Sequence, residues 1–86
     1  MLNMSQTIER TTLTQLVTNE QYARKVLPFM KKDYFSDRTE RTIFEEITKF
    51  VDKYNKIPTQ TSLEIEVQGR KDLNEDDYKK VVAVIQ

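Results

Sequence analysis

The 86-residue sequence has no cysteine and no histidine, and it has only one glycine. Without cysteine there is no disulfide framework, and without either residue there is no zinc site of the Cys₂His₂ type. The Ser-His-Asp and Cys-His arrangements of nucleophilic catalysis are excluded as well, as is histidine pH sensing. One glycine is too few for a Gly-rich phosphate-binding loop. The composition therefore excludes several functions without indicating one.

The charges balance, with 14 Lys and Arg against 14 Asp and Glu, although charged residues make up 33% of the chain. This balance argues against a strongly cationic nucleic-acid reader or membrane binder. No stretch approaches the roughly 20 apolar residues of a membrane span, and the first twenty residues contain charges and no apolar run, so no signal peptide is expected. We expect a soluble intracellular protein stabilised by one compact core or by burial against a partner.

Apolar residues at helical spacing predict an all-α fold, a compact bundle of about five short helices in a single domain over 1–86. The first helix is expected at about 7–18, with Ile8 as its weakest apolar member. Asn19 is expected to cap a second helix, which should end or kink near Leu27 because Pro28 lacks a backbone N–H. The expected apolar stripe of the second helix is Tyr22, Val26 and Phe29.

A connector over 31–37 is predicted to hold a buried aromatic pair, Tyr34 and Phe35. The clearest element is a helix over 38–54, in which Asp37 and Glu40 form an acidic variant of the capping box. Its apolar stripe is Ile43, Phe44, Ile47, Phe50, Val51 and Tyr54, and its expected polar side is Glu45, Glu46, Lys49, Asp52 and Lys53. Asn55 is predicted to end this helix in the left-handed conformation.

The segment after Pro58 has two interpretations. Leu63, Ile65 and Val67 alternate with glutamates as in a strand. A capping box of Thr61 and Glu64, followed by Gly69 at a helix C-cap, favours a short helix instead.

The last predicted helix is capped by Asn74. Its apolar face, Tyr78, Val81, Val82 and Ile85, is the candidate subunit or partner contact, although ordinary core packing explains it equally well. The face continues to the end of the chain, which we interpret as the sign of a fragment.

The motifs tested for chemistry favour structural explanations. Residues 72–77 match three ligand positions of an EF-hand loop, but Asp77 stands where its glycine is needed and Ala83 where its glutamate is needed. The carboxylate pairs Glu45/Glu46 and Asp76/Asp77 are adjacent on helices and point about 100° apart, so neither suits acid–base catalysis. We therefore expect no catalytic residue, no metal site and no bound cofactor in this chain.

Basic doublets are scattered along the sequence, and two of them flank Pro28. Arg24, Lys25, Lys31 and Lys32 are the candidates for a weak phosphate contact. Stacking of single-stranded nucleic acid needs aromatics interleaved with an unbroken basic track, and most aromatics here fall on helix stripes, where core packing is the simpler role.

Four runs of residues carry a family resemblance, in order and in spacing. They are KVLPFMKKDYF, ERTIFEEITKFVDKYNKIPT, SLEIEV and LNEDDYKKVVAVI. Together they resemble the N-terminal domain of DnaB-family replicative helicases, in particular the form found in T-even-type tailed phages, over about residues 13–86. The matching features are the acidic-aromatic run Asp33, Tyr34 and Phe35, the helix around Phe44, the turn at Pro58 and the short helix around Leu63. These are packing and turn features, and none is an active-site residue.

The resemblance implies a helical collar domain of a hexameric helicase ring that works with primase, and with a helicase loader, in DNA replication. It implies that ATP and Mg²⁺ are used in a separate RecA-like domain, since Gly69-Arg70-Lys71 does not fit a Walker motif. Single-stranded DNA would pass through the parent ring, in the cytoplasm of an infected bacterial cell, without membrane contact.

Two alternatives stay open beside this leading hypothesis. The chain could be a complete small phage protein whose helical face binds and regulates a host protein. Direct DNA binding would instead give an affinity for single strands that falls steeply with salt.

Overall fold

The computed structural model describes residues 4–85, which form five α-helices and no β-strand. The helices are α1 (Met4–Thr18), α2 (Glu20–Val26), α3 (Arg38–Tyr54), α4 (Gln60–Gln68) and α5 (Glu75–Ile85). Two 3₁₀ turns, Leu27–Phe29 and Lys32–Tyr34, lie between α2 and α3. The predicted all-α bundle of about five short helices is confirmed.

Helix α3 has the predicted bounds, and both of its ends are fixed by short polar side chains. The Asp37 carboxylate accepts a hydrogen bond from the Glu40 N–H at 3.0 Å. Asn55 has a φ of 55°, and its N–H donates to the Val51 carbonyl at 2.8 Å. The second half of the predicted capping box is wrong, because the Glu40 side chain pairs with Arg10 of α1 rather than turning back to Asp37.

The core is built around α3, which packs against α1, α4 and α5, while α2 packs on α1. Its buried apolar residues are Leu13, Leu16, Ala23, Phe35, Ile43, Phe44, Ile47, Leu63, Val67, Val81 and Ile85. Every helix therefore contributes to one core, as expected for a chain of this size without cross-links. No helix within residues 4–85 is long and apolar enough to cross a membrane.

The first two helices follow the prediction except at their margins. Helix α1 begins at Met4, earlier than the predicted residue 7, and Ile8 is exposed, which agrees with its weak place in the apolar stripe. The Asn19 side chain accepts a hydrogen bond from the Tyr22 N–H at 3.1 Å, so the predicted cap of α2 is confirmed. The predicted end near Leu27 is confirmed too, since Pro28 lies within a 3₁₀ turn.

Three aromatic residues lie outside the core that the sequence predicted for them. One is Tyr54 of the predicted α3 stripe, which is 45% exposed because it is the last residue of its helix and reaches beyond the packed part. Phe29 keeps 85% of its surface exposed, because the chain leaves α-helical geometry at Leu27 and the spacing that relates Phe29 to Val26 no longer applies. Of the predicted buried pair, Phe35 is buried but Tyr34 is 45% exposed. The two rings meet edge to face, with centroids 5.1 Å apart.

After Pro58 the chain forms helix α4, so the helical interpretation is confirmed and the strand is wrong. The predicted cap at Thr61 is also wrong, since the Thr59 hydroxyl accepts the hydrogen bond from the Ser62 N–H at 3.0 Å. Gly69 is the C-cap as predicted, with φ −79°. The predicted cap of α5 is confirmed, because the Asn74 side chain accepts from the Asp77 N–H at 2.8 Å.

Candidate functional site

The predicted contact face of α5 is divided between the core and the surface. Val81 and Ile85 are buried where α5 packs against α3 and α4. Tyr78 and Val82 are half-buried and keep part of their surface accessible. Two of the four candidate residues therefore serve the chain's own core, and of the four only Tyr78 and Val82 keep surface that a partner can contact.

The four predicted phosphate-contact residues are all exposed, and they lie on both sides of the turn at Pro28. Arg24 forms a salt bridge with Glu20, one turn earlier in α2, at 2.8 Å. Within residues 4–85, no ion pair engages Lys25, Lys31 or Lys32. The three lysines are therefore available to bind an anion.

An aromatic groove, which the sequence analysis missed, lies beside these lysines. Its volume is about 440 Å³, and its lining residues are Thr12, Tyr22, Val26, Phe29, Met30, Lys31 and Tyr34. The Thr12 and Tyr34 hydroxyls are 3.4 Å apart, which connects the groove wall to α1. The signal for it was the run FMKKDY, in which aromatic and basic residues do interleave. We refer to these seven lining residues as the aromatic groove.

A second, smaller groove of about 180 Å³ is lined by three arginines, two of α3 and one that follows α4. Its lining residues are Lys32, Arg38, Arg41, Thr42, Glu45, Arg70 and Asp72. Arg38 approaches Asp77 at 3.8 Å, whereas no described residue forms an ion pair with Arg41. We call this the basic groove, and the segment from Lys31 to Tyr34 contributes residues to both grooves.

Three buried glutamates hold the helices together, and the sequence did not distinguish them from surface residues. The Glu9 carboxylate accepts hydrogen bonds from the Ser36 N–H at 2.6 Å and from its hydroxyl at 3.2 Å. Glu40 accepts from Arg10, and Glu46 from Arg70 at 3.0 Å. Each glutamate thus has a partner on another segment, which explains how a charged group is buried here.

The family comparison decides what kind of domain these helices form. The model of the DnaB-like helicase N-terminal domain matches residues 1–85. This chain belongs to that family. The predicted resemblance is thereby confirmed at the level of the family. No curated protein and no solved structure matches the chain.

The strongest electrostatic feature of this DnaB-like domain is the environment of Arg70. The Asp72 carboxylate forms hydrogen bonds with the guanidinium at 2.9 and 2.6 Å, and this raises the pKa of Arg70 above its ordinary value. The same hydrogen bonds lower the pKa of Asp72 to about 2. Both groups are therefore charged at neutral pH, and the cluster they form connects α3 to the segment before α5.

The acidic pairs that were tested for chemistry have structural surroundings in the DnaB-like domain. Glu46 is bound to Arg70, and Glu45 points toward the same guanidinium at 3.5 Å. The Asp77 N–H donates to the Asn74 side chain that caps α5, and Asp76 is exposed. Among residues 4–85, no three Asp or Glu side chains are grouped as a metal site requires.

Proposed function

We propose that the DnaB-like domain is a non-catalytic assembly and protein-docking domain of a phage replicative helicase, acting in DNA replication and in coupling to primase. The observation that carries this proposal is the family match over residues 1–85. The resemblance of its four sequence runs to the T-even-type helicase supports the phage origin. ATP and Mg²⁺ would be used by a RecA-like domain of the same helicase.

We place the subunit contact on the accessible part of α5. Tyr78 and Val82 are apolar and half-buried, and they lie next to the core residues Val81 and Ile85. Covering them with a second copy would extend that core across the interface, as is common in oligomers. A primase or a helicase loader would then dock on surfaces that the ring leaves exposed.

A sedimentation dilution series on the 86-residue chain tests the contact. The chain should associate as its concentration rises, because association removes the accessible part of the apolar Val82 side chain from water. Val82→Asp should abolish the association, because it would bury an unpaired charge. Ala83→Asp is the matched control, since it places the same charge on an exposed position of the same helix.

Circular dichroism would establish that both aspartate variants are folded, and the milder Val82→Ser should weaken association if Val82→Asp unfolds. A chain that is monomeric at every concentration, or equal association of the Val82 and Ala83 variants, would remove the proposed contact.

A further inference from the structure

Phe29 is the most exposed of the large apolar side chains among the described residues, at 85% of its surface. It follows Pro28 in a 3₁₀ turn, which the hydrogen bond from the Met30 N–H to the Leu27 carbonyl closes at 3.2 Å. Pro28 restricts the backbone at this point, so the turn holds the backbone of Phe29 at the surface. The assembly proposed for α5 gives this residue no role.

Other flat rings lie near Phe29. Tyr22 and Tyr34 line the same aromatic groove, and Tyr34 is 45% exposed. The edge-to-face contact with buried Phe35 holds Tyr34 in place. The groove therefore offers aromatic faces on a supported surface, which is the arrangement that unpaired bases use for stacking.

Basic residues outnumber acidic residues in the segment 24–41, which contributes residues to both grooves. Six exposed or half-buried cations lie between residues 24 and 41, namely Arg24, Lys25, Lys31, Lys32, Arg38 and Arg41. The acids in this span are Asp33, Asp37 and Glu40, and Glu40 is buried against Arg10. Acids from outside the span also lie here, since Glu45 and Asp72 line the basic groove, Glu20 pairs with Arg24, and Asp77 approaches Arg38. Lys25, Lys31, Lys32 and Arg41 form no ion pair with a described residue, so they supply the positive charge of this surface.

We propose that the aromatic and basic grooves together bind single-stranded DNA. Bases stack on Phe29 and Tyr34, and phosphates contact Lys31 and Lys32 on the way to Arg41. This activity goes beyond the proposed assembly role and does not depend on it. An acidic peptide would satisfy the cations, but its apolar anchors need an enclosed pocket, and the Phe29 ring projects into solvent instead.

Fluorescence anisotropy with a labelled 20-nucleotide poly-dT strand in 50 mM salt tests the stacking. Phe29→Ala should weaken binding by roughly fivefold or more, the effect typical of one lost stacking contact. Phe29→Tyr should retain the affinity, and Phe29→Leu should lose it as alanine does, because leucine is apolar without an aromatic face. Ile65→Ala removes an equally unpacked side chain, 61% exposed on α4, and should change nothing.

The phosphate contacts are tested by a matched pair of double variants. Lys31→Gln with Lys32→Gln should lower the slope of log affinity against log salt by about 1.4, since each phosphate contact on a single strand contributes about 0.7. Lys79→Gln with Lys80→Gln removes the same charge from exposed positions of α5 and should leave the slope unchanged. Val82→Asp should also leave DNA binding unchanged, which separates this test from that of assembly.

Several results would overturn the proposal. They are the absence of any anisotropy change in 50 mM salt, equal binding of duplex DNA, and equal effects of the two lysine double variants. Binding of an acidic, phenylalanine-containing peptide that depends on Phe29, without binding of poly-dT, would make the surface a peptide site instead.

Discussion

Arg70 supplies the charged partner that allows the Glu46 carboxylate to be buried. Its guanidinium donates a hydrogen bond to Glu46 at 3.0 Å and two further hydrogen bonds to the Asp72 carboxylate. The side chain of Arg70 is only 13% exposed, and Glu46 is 4% exposed. A carboxylate at that depth needs a charged partner, and the nearby Lys49 is more distant, at 3.7 Å.

Arg70→Met should lower the free energy of unfolding by roughly 3 kcal/mol, because it leaves Glu46 buried without its main partner. Urea denaturation followed by circular dichroism measures this loss. Lys71→Met is the control, a neighbouring exposed cation whose loss should change stability by less than about 0.5 kcal/mol. Equal losses for the two variants would show that the guanidinium has no special role.

The low pKa of Asp72 predicts how stability depends on acidity. The hydrogen bonds from Arg70 lower the pKa of Asp72 from its ordinary value of 3.8 to about 2 in the folded chain. The folded state therefore binds its proton less readily, and the stabilisation is present above pH 3.8 and is lost as the pH falls toward 2.

Asp72→Asn should consequently flatten the fall of unfolding free energy between pH 4 and pH 2, as measured by urea titrations at several pH values. Asp76→Asn, an exposed carboxylate outside the Arg70 cluster, should leave that fall as it is in the natural chain. If the two variants gave the same profile, the lowered pKa of Asp72 would not contribute to stability.

The buried glutamates mark where prediction from one sequence ends. Glu46 was expected on the polar side of its helix because periodicity sorts residues by type, and glutamate is normally exposed. Its burial depends on Arg70, which lies 24 positions later. A periodic pattern within one helix contains no information about a partner on another, so Glu9 and Glu40 were missed for the same reason.

At the scale of elements, helices were predictable where local signals agreed. For α3, the apolar period, the Asp37 cap and the Asn55 terminus all indicate the same bounds, and the structure has those bounds. For α4, two threonines offered alternative caps, and Thr59 rather than Thr61 binds the helix end. Both can cap a helix, and Thr59 is the cap because it is the extended residue directly before the first residue of α4, whereas Thr61 already lies within the helix.

The two threonines provide a test of that choice. Thr59→Ala should lower the free energy of unfolding by about 1 kcal/mol, because the Ser62 N–H loses its acceptor. Thr61→Ala should change it little, since Thr61 lies within the helix and alanine favours helices. Thermal or urea unfolding measures both variants, and a larger loss for Thr61→Ala would contradict the assignment of the cap.

For the whole molecule, one core has to supply nearly all of the stability. The chain has no cysteine for cross-links, and every helix contributes buried apolar residues. The basic candidates of the binding surface were predictable because exposed lysines follow from charge alone. The aromatic groove was not, because the exposure of Phe29 depends on the 3₁₀ turn that ends α2.

Ile85 can distinguish a role in the core from a role in the proposed contact. The sequence placed it in the contact face, whereas the structure buries it in the core. Its carbonyl also accepts a hydrogen bond from the Gln60 side chain at 3.0 Å, so the end of α5 is tied to the start of α4. Ile85→Ala should therefore lower the free energy of unfolding by about 2–5 kcal/mol, a large share of the stability of so small a domain.

Urea unfolding at one protein concentration in the monomeric range and at one where the chain associates measures this loss. Ile65→Ala on the exposed side of α4 is the control, expected to cost little. If Ile85 belongs to the core, the loss is the same at both concentrations. A loss that appears only at concentrations where the chain associates would place Ile85 at the interface instead, because only an interface residue couples its burial to the amount of protein.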